Sequence, residues 1–449
     1  MLRKTRRVEV VTGSGFSPRS PRPKNSKQES IMRDVLAIVL AGGAGERLAP
    51  LTLNTAKPAV PFGGCYRIID FTLSNCINSD VRRIFILTQY KALELTRHVR
   101  EGWDIFSGEL NEFIEVIPPM KRIHQNWYLG TADAVYQNIE SILVEKPETT
   151  LILSGDHIYK MDYQDMLSWH QRNQADATIA TIQVPPEQAC RFGIVETDGD
   201  YRITGFEEKP RHGRSARSPA NPDMVNASMG VYAIDTQILL RSLMEDAGDP
   251  HSSHDFGKDV LPKLVTRGRA KVMAYDFRDL NRKKVRYWRD VGTIDAYYEA
   301  NMDLVAIEPE FNLYDRQWPL RTRLEQQPPA KFVLAEERSR MGVAIDSIVS
   351  AGCIVSGGRV MRCVLSPGVR VNSYSEVDSS IIMANSQVGR HSRIRRAIIP
   401  PNTVIPEFSI IGHDVEQDRG KGYTVTESGV VVLPPTGSDV TRTVRAMTA

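Results

Sequence analysis

Apolar residues recur along this chain in two different rhythms. In the first, short uninterrupted apolar runs alternate with stretches of helical spacing. Val35–Ala41 (VLAIVLA) is an unbroken run of seven, the pattern of a strand buried on both faces of a parallel sheet. Ile84–Thr88, Leu151–Ser154 and Ala177–Ile182 read the same way. Helices are predicted between them over Lys91–Val99, Ala132–Leu143 and Tyr163–Gln171. Strands alternating with helices predict an α/β domain with a doubly wound, mostly parallel, Rossmann-like sheet, placed here at residues 33–310. Pro309, Pro319, Pro328 and Pro329 then mark a linker, residues 311–335.

The second rhythm has a period of seventeen. Ile348, Leu365, Ile382 and Ile399 form one row; Ile354, Val371, Val388 and Ile405 a second; Val360, Val377, Ile394 and Ile411 a third. Every position is aliphatic, and the rows are offset by six, six and five residues. One such row is easily met by chance, three together are not. The spacing predicts a triangular parallel β-helix, each side about six residues long with one inward aliphatic. A left-handed β-helix of about four coils is therefore expected over residues 336–435, its end edges needing a cap or a partner subunit.

Composition narrows the function classes. Of 449 residues, 41% are hydrophobic and 25% charged, a soluble globular balance. A run of seven apolar residues is far short of the roughly 20 that span a bilayer, so no membrane partner is expected. The net charge of +3 is uneven: residues 1–30 hold eight basic and two acidic side chains, leaving −3 for the remainder. A near-neutral body argues against a nucleic-acid partner. The five cysteines (65, 76, 190, 353, 363) are odd in number and form no CxxC pair, which fits a reducing cytoplasm better than a disulfide framework or zinc knuckle. Residues 1–32 lack the apolar core of a secretory signal and read as a disordered basic tail. The same Arg- and Ser-rich composition also suits a transit peptide, and Met32 an alternative start. Residues 436–449 read as a C-terminal tail.

Candidate chemistry begins directly after the first strand, at Gly42-Gly43-Ala44-Gly45-Glu46-Arg47. Closely spaced glycines let backbone N–H groups approach an anion, although a plain βα turn uses glycine too. The loop is neither a Walker A nor a GxGxxG motif. Arg47 and Lys57 (Ala56-Lys57-Pro58) add the cations a polyphosphate needs. Asp156, in Leu151-Ile152-Leu153-Ser154-Gly155-Asp156-His157, follows a buried strand, where open α/β sheets bind ligands; it can hold Mg²⁺ or simply cap a helix. Asp290, in Tyr287-Trp288-Arg289-Asp290-Val291-Gly292-Thr293, is a candidate second carboxylate for a hard cation. Glu208 and Lys209, in Phe206-Glu207-Glu208-Lys209-Pro210, can grip a sugar phosphate or merely decorate a turn. Arg390, His391, Arg393, Arg395 and Arg396 form a basic cluster, either an anion site or a solvated face. His251 and His254 lack an evident third metal ligand, and the bland reading is preferred for them.

These blocks, in order, carry a resemblance. LAGGAGERLAPLT, AKPAVPFGGCYRIIDFTLSN, NWYLGTADAV, LSGDHIYKMDY, FEEKP, SSHDFGKD and YWRDVGTIDAYYEAN resemble the bacterial glucose-1-phosphate adenylyltransferase (ADP-glucose pyrophosphorylase) family over about residues 33–435. The LAGGxGxRL pattern gives only the sugar nucleotidyltransferase reaction class; the longer blocks are more specific. That family joins a catalytic α/β domain to a left-handed β-helix. The resemblance implies formation of ADP-glucose and diphosphate from ATP and glucose 1-phosphate, with Mg²⁺, in support of glycogen (α-glucan) synthesis. It implies that Gly42, Gly43, Gly45 and Arg47 hold the triphosphate, that Asp156 and Asp290 bind the metal, and that Lys57 is the cation of the AKP block. It further implies that Lys209 binds the sugar phosphate beside Glu208, that Ser228 contacts the sugar, and that Gln89, Tyr128 and Gly130 lie at the ATP site. A homotetramer regulated by sugar phosphates or pyruvate as activators and AMP, ADP or phosphate as inhibitors is implied as well. One departure concerns that regulation: Leu53-Asn54-Thr55 stands where many members carry basic activator contacts, leaving Arg390, Arg393 and Arg395 as the weaker candidates for an allosteric site. Alternatives are a UDP-, dTDP- or GDP-sugar pyrophosphorylase, a non-catalytic regulatory subunit, and a β-helix acyltransferase. The four charged residues Arg47, Asp156, Lys209 and Asp290 argue against the second, and the small number of coils against the third.

Overall fold

The computed structural model of the chain describes residues 32, 34–119, 127–210, 218, 221–268, 270–281, 286–336 and 340–435. The expected tails lie outside the described residues, apart from Met32, which is buried. Val35–Ala41 forms the predicted strand, paired in parallel with Arg83–Thr88 on one side and Thr149–Ser154 on the other. Phe113–Ile117 extends the parallel set beyond Arg83–Thr88. The eleven-residue strand Val225–Asp235 runs antiparallel between Thr149–Ser154 and Ala177–Val184, and Val272–Asp276 closes that end parallel to Ala177–Val184. The residues of Val35–Ala41 explain its centrality: Val35, Ala37, Val39 and Ala41 belong to one apolar cluster, while Leu36 and Ile38 belong to the cluster on the opposite face.

The predicted helices recur with shifted ends, at Leu93–Gly102 and Tyr163–Arg172. The helix expected over Ala132–Leu143 is two helices, Thr131–Tyr136 and Ile139–Glu145. The break is at Asn138, which is buried and whose Nδ2 donates to the Tyr128 hydroxyl (3.0 Å) and the Ala134 carbonyl (2.8 Å). A polar side chain that bonds nearby backbone competes with helix continuation.

The C-terminal part is the left-handed β-helix, built as three sheets in which successive coils pair in parallel, with an antiparallel pair at the end of two of them. Val371, Val388 and Ile405 stack on one side, Val360, Val377, Ile394 and Ile411 on the second, and Leu365, Ile382 and Ile399 on the third. Two of the three expected rows slip by one residue in the first coil, while the row beginning at Val360 holds its register. Val349 pairs with Leu365 and Val355 with Val371, so Ile348 and Ile354 do not occupy the inward places. Ile348 instead packs against the cluster shared with the α/β part, while Val349 packs against the β-helix core. Each coil turns its corners on left-handed residues. Gly357, Tyr374, His391 and Phe408 share one corner, and Gly368, Asn385 and Asn402 another, all with positive φ. Glycine and asparagine suit that region; at the other corner Tyr374, His391 and Phe408 stack ring on ring (4.8 and 5.0 Å between centroids).

Ile382 is fully buried between Leu365 and Ile399. Ile382→Ala should destabilise the β-helix by about 2–5 kcal/mol through lost contacts and the cavity left behind. Urea unfolding followed by circular dichroism checks this, and a loss below about 1 kcal/mol would contradict the stacked core.

The proline-rich segment expected as a linker straps the two parts together. Phe311 is buried, Trp318 Nε1 donates to Asn75 Oδ1 (2.9 Å), and the Arg321 amide donates to Ser74 Oγ (2.9 Å). Its last stretch, Lys331–Glu336, already pairs with Ile354–Ser356 as a β-helix strand. Helix Ile294–Asp303 lies against the β-helix: the Tyr298 hydroxyl donates to the Ser379 carbonyl (2.7 Å), and Val364, Ile381, Met383 and Ile398 share an apolar cluster with Tyr297 and Tyr298. Among the described residues, no helix is long and apolar enough to cross a membrane.

Candidate active site

The site opens at the carboxyl ends of Val35–Ala41, Arg83–Thr88 and Thr149–Ser154, parallel neighbours whose following loops meet there, as in other open α/β sheets. After Ala41 the chain turns through Gly42–Gly45. Gly45 takes φ +64°, and a Cβ there would stand 3.0 Å from Thr52 Cγ2 and 3.1 Å from Lys57 Cβ. The Gly45 carbonyl accepts from Thr52 Oγ1 (2.8 Å), which ties the loop to the segment leading into Lys57.

Asp156 and Asp290 are 134 positions apart in sequence and are brought together by a two-stranded antiparallel ribbon. His157–Tyr159 pairs with Trp288–Asp290, with Asp290 opposite His157. Lys57 lies between the carboxylates: its Nζ donates to Asp156 Oδ2 (2.7 Å) and Asp290 Oδ1 (2.9 Å). Lys57 is 7% exposed. Burial alone would lower its pKa, but the two carboxylates outweigh that and hold the ammonium above its ordinary value. Burial likewise acts to raise the pKa of Asp156; Lys57, His157 and the Ser154 hydroxyl overcome it and keep the carboxyl well below the usual range. Arg47 reaches the same place, since a Cβ added at Gly292 would stand 3.2 Å from Arg47 Nη2 and 3.0 Å from Asp290 Oδ1.

Two carboxylates with a hydroxyl beside them form an oxygen-rich set suited to a hard divalent cation. Among the described residues, only Asp156, His157 and Asp290 bring three metal-ligand atoms within 4.8 Å of one another. His157 was not singled out from sequence, although it adjoins Asp156. Its ring packs edge-on to Trp288 (5.0 Å), with Nδ1 buried and unpartnered. His251 and His254 are not part of that group. His254 Nδ1 bonds Asp246 Oδ2 (2.9 Å), and the His254 carbonyl accepts the Ala132 amide (2.8 Å). The SSHDFGKD block thus braces the Gly130 turn.

A cavity of about 410 Å³ lies beside the carboxylates. Gly42, Gly43, Lys57, Gln89, Tyr128, Gly130 and Asp156 line it, so most of the sequence-predicted nucleotide residues share one space. Gln89 Nε2 donates to the Tyr128 carbonyl (3.3 Å). Asp255, which also lines the cavity, accepts from Thr131 Oγ1 (3.0 Å) and was not found from sequence.

The residues expected from sequence on the sugar side form a second group. Glu208 ends strand Ile203–Glu208, and its carboxylate leaves no room for a side chain at Gly193 or Gly257, where a Cβ would stand 2.7 Å from Oε2. Lys209 follows at φ +48°, its Nζ on Glu208 Oε1 (2.7 Å) and its side chain 56% exposed. Ser228 is buried on Val225–Asp235, accepting the Gly230 amide (3.3 Å). A Cβ at Gly230 would lie 3.5 Å from His157 Cε1, so this bulge links the strand Val225–Asp235 to the carboxylate ribbon.

The basic cluster on the β-helix does not stay together. Arg393 and Arg395 project from one side, beside the acidic residues Glu376 and Asp378 on the neighbouring strand. His391 joins the aromatic corner, and Arg396 lies over the Tyr298 ring (5.4 Å) and donates to the Ser428 carbonyl.

Comparison with known proteins gives matches over the same parts of the chain. Residues 36–306 match the family described as nucleotidyl transferase, and residues 328–433 match the GlmU-like C-terminal hexapeptide family. The chain is 59% identical over 403 residues to a protein of Koribacter versatilis named glucose-1-phosphate adenylyltransferase, covering 90% of this chain and 95% of that protein. Proteins of the same name from Rhodopirellula baltica and Methylobacillus flagellatus are 52% and 50% identical over 90% of this chain and 91% and 94% of theirs.

Proposed function

We infer the activity from one premise, that the chain belongs to the glucose-1-phosphate adenylyltransferase family: it joins ATP to α-D-glucose 1-phosphate, giving ADP-glucose and diphosphate. The observation that supports this most strongly is the Asp156–Lys57–Asp290 triad at the edge of the cavity lined by the glycine loop. Both reactants are anions, and the sugar phosphate is already ionised at neutral pH. The protein's task is therefore charge neutralisation and alignment, with no need of a covalent intermediate or a strong base. Backbone N–H groups of Gly42–Gly45, with Arg47 and Lys57, hold the triphosphate. Gln89, Tyr128 and Gly130 form the wall against the nucleoside. Lys209 binds the phosphate of glucose 1-phosphate, with Glu208 and Ser228 on the sugar, so that a phosphate oxygen faces the α-phosphorus opposite the departing diphosphate. Asp156 and Asp290 would hold Mg²⁺, which supplies further neutralisation of the phosphates.

Lys209→Ala should raise KM for glucose 1-phosphate by about 10–100-fold, one lost charge-assisted contact, with a much smaller change in KM for ATP. Initial-rate kinetics over both substrates check this; a KM effect confined to ATP would reassign the residue. Comparing turnover with ATP, UTP, dTTP and GTP separates the adenylyl reading from other sugar nucleotidyltransferases.

The same reading extends to a homotetrameric cytoplasmic enzyme that supplies glycogen synthesis. Its activators are sugar phosphates or pyruvate, and its inhibitors AMP, ADP or phosphate. Arg390, Arg393 and Arg395 are candidates for the effector contact, given the uncharged Leu53-Asn54-Thr55 segment. The division into a catalytic part (33–310), a connecting segment (311–335) and a β-helix (336–435) is part of this reading.

A further inference from the structure

Asp156 and Asp290 come from different segments: Asp290 lies opposite His157 on the antiparallel ribbon and Asp156 just before that strand, and both carboxylates reach Lys57 Nζ. Two ionised carboxylates held so close repel unless a cation stands between them. Lys57 supplies that cation, its Nζ within 2.7 and 2.9 Å of one oxygen of each, its side chain only 9% exposed. Mg²⁺ approaches carboxylate oxygens to about 2.0–2.1 Å and tolerates little distortion. An ammonium already bonded to both carboxylates fills the gap such an ion needs, and the two positive charges repel. The lysine can move, because its flexible arm also borders the cavity lined by Gly42 and Gly43. Its backbone is fixed in the short helix Lys57–Ala59, all three residues of which are buried.

We propose that Lys57 is a place-holding cation: its ion pair with Asp156 and Asp290 and a divalent cation on those carboxylates exclude one another, and the metal enters as the ammonium swings onto the polyphosphate. This rests on the reading of Asp156 and Asp290 as metal ligands and adds to it the order of events. The lysine keeps the carboxylate pair together in the nucleotide-free protein and passes its charge to the triphosphate as the metal takes over. One substitution should then have effects of opposite sign. A neutral residue at position 57 weakens nucleotide handling yet tightens metal binding to the nucleotide-free protein.

The test is Mn²⁺ binding to the full-length, nucleotide-free chain, followed by electron paramagnetic resonance of the free ion. Lys57→Met should bind Mn²⁺ at least about tenfold more tightly than the unmodified protein. Lys57→Arg, which keeps the charge, should stay within about threefold of it. Adding Asp290→Asn to Lys57→Met should abolish the gain, placing it at this pair. Equal or weaker Mn²⁺ binding by Lys57→Met overturns the proposal. Should that variant not fold, the unmodified protein answers by itself. Acetic anhydride labelling of Lys57, read by peptide mass spectrometry, should rise several-fold when Mn²⁺ is added; unchanged or reduced labelling overturns the proposal. Both readouts are taken without ATP, so a failure of adenylyl transfer would sink the proposed function while leaving these results to be judged separately.

Discussion

Asp156→Asn should lower kcat by at least about 10³-fold, some 4 kcal/mol of transition-state stabilisation, while the protein keeps its fold. The substitution preserves shape and leaves the Ser154 hydroxyl a partner, but it removes the charge that Lys57 balances now and that a divalent cation held by Asp156 would balance under the proposed function. Stability should change far less. The Asp156 side chain retains 28% exposure, and Lys57 keeps its second partner in Asp290 at 2.9 Å. Steady-state kinetics with both substrates, set beside a thermal melt, separate the two effects. Activity within about tenfold of the unmodified protein would remove Asp156 from the catalytic machinery.

Gly130→Ala is expected to have the next largest effect, for a steric reason. At Gly130 an added Cβ would stand 2.2 Å from the His254 carbonyl oxygen and 2.6 Å from that of Ser253, both backbone atoms that cannot turn aside. The backbone at Gly130 is extended (φ −160°), so the demand for glycine comes from crowding alone. The turn must open, and what opens with it is the wall proposed to hold the nucleotide. Leu129 is tied to Asp133 (2.8 Å), Ala132 to His254 (2.8 Å), and Gln89 to the Tyr128 carbonyl (3.3 Å). A misplacement of about 1 Å at such a wall costs on the order of 10²-fold, so kcat/KM for ATP should fall by about that factor. Gly199→Ala, where a Cβ meets nothing within 4 Å, should leave activity and stability unchanged. Near-normal kcat/KM for ATP in Gly130→Ala would show that this turn does not position the nucleotide.

What the sequence disclosed follows from how local each signal was. Val35–Ala41 was legible to the residue because a strand buried on both faces must be apolar at every position. The β-helix was legible because each coil repeats the same inward demand at a fixed spacing. Its first coil was misjudged by one residue, because there the stacking competes with the catalytic part, which takes Ile348 for its own apolar cluster. Asn138 broke an expected helix for a reason invisible in the pattern, a buried bond to the Tyr128 hydroxyl.

In the site, the glycine loop, Lys57, Asp156 and Asp290 could each be proposed one by one. Their meeting could not, since it depends on a three-residue ribbon too short to leave a pattern. Nor could the role of Asp255 and the carbonyl of His254, which act through chain packing on the Gly130 turn. The run Arg390–Arg396 shows where closeness in sequence misleads: β-helix geometry keeps Arg393 and Arg395 exposed on one strand, still candidates for an effector contact, but sends Arg396 over Tyr298.

The account's central claim is that paired carboxylates, Lys57 and a glycine loop bring a nucleoside triphosphate and a sugar phosphate together for adenylyl transfer. Its most direct test is diphosphate release by the purified chain supplied with ATP, glucose 1-phosphate and Mg²⁺. The account predicts release that requires all three and yields ADP-glucose in equal amount. No release under these conditions, or release just as fast when glucose 1-phosphate is left out, would contradict it.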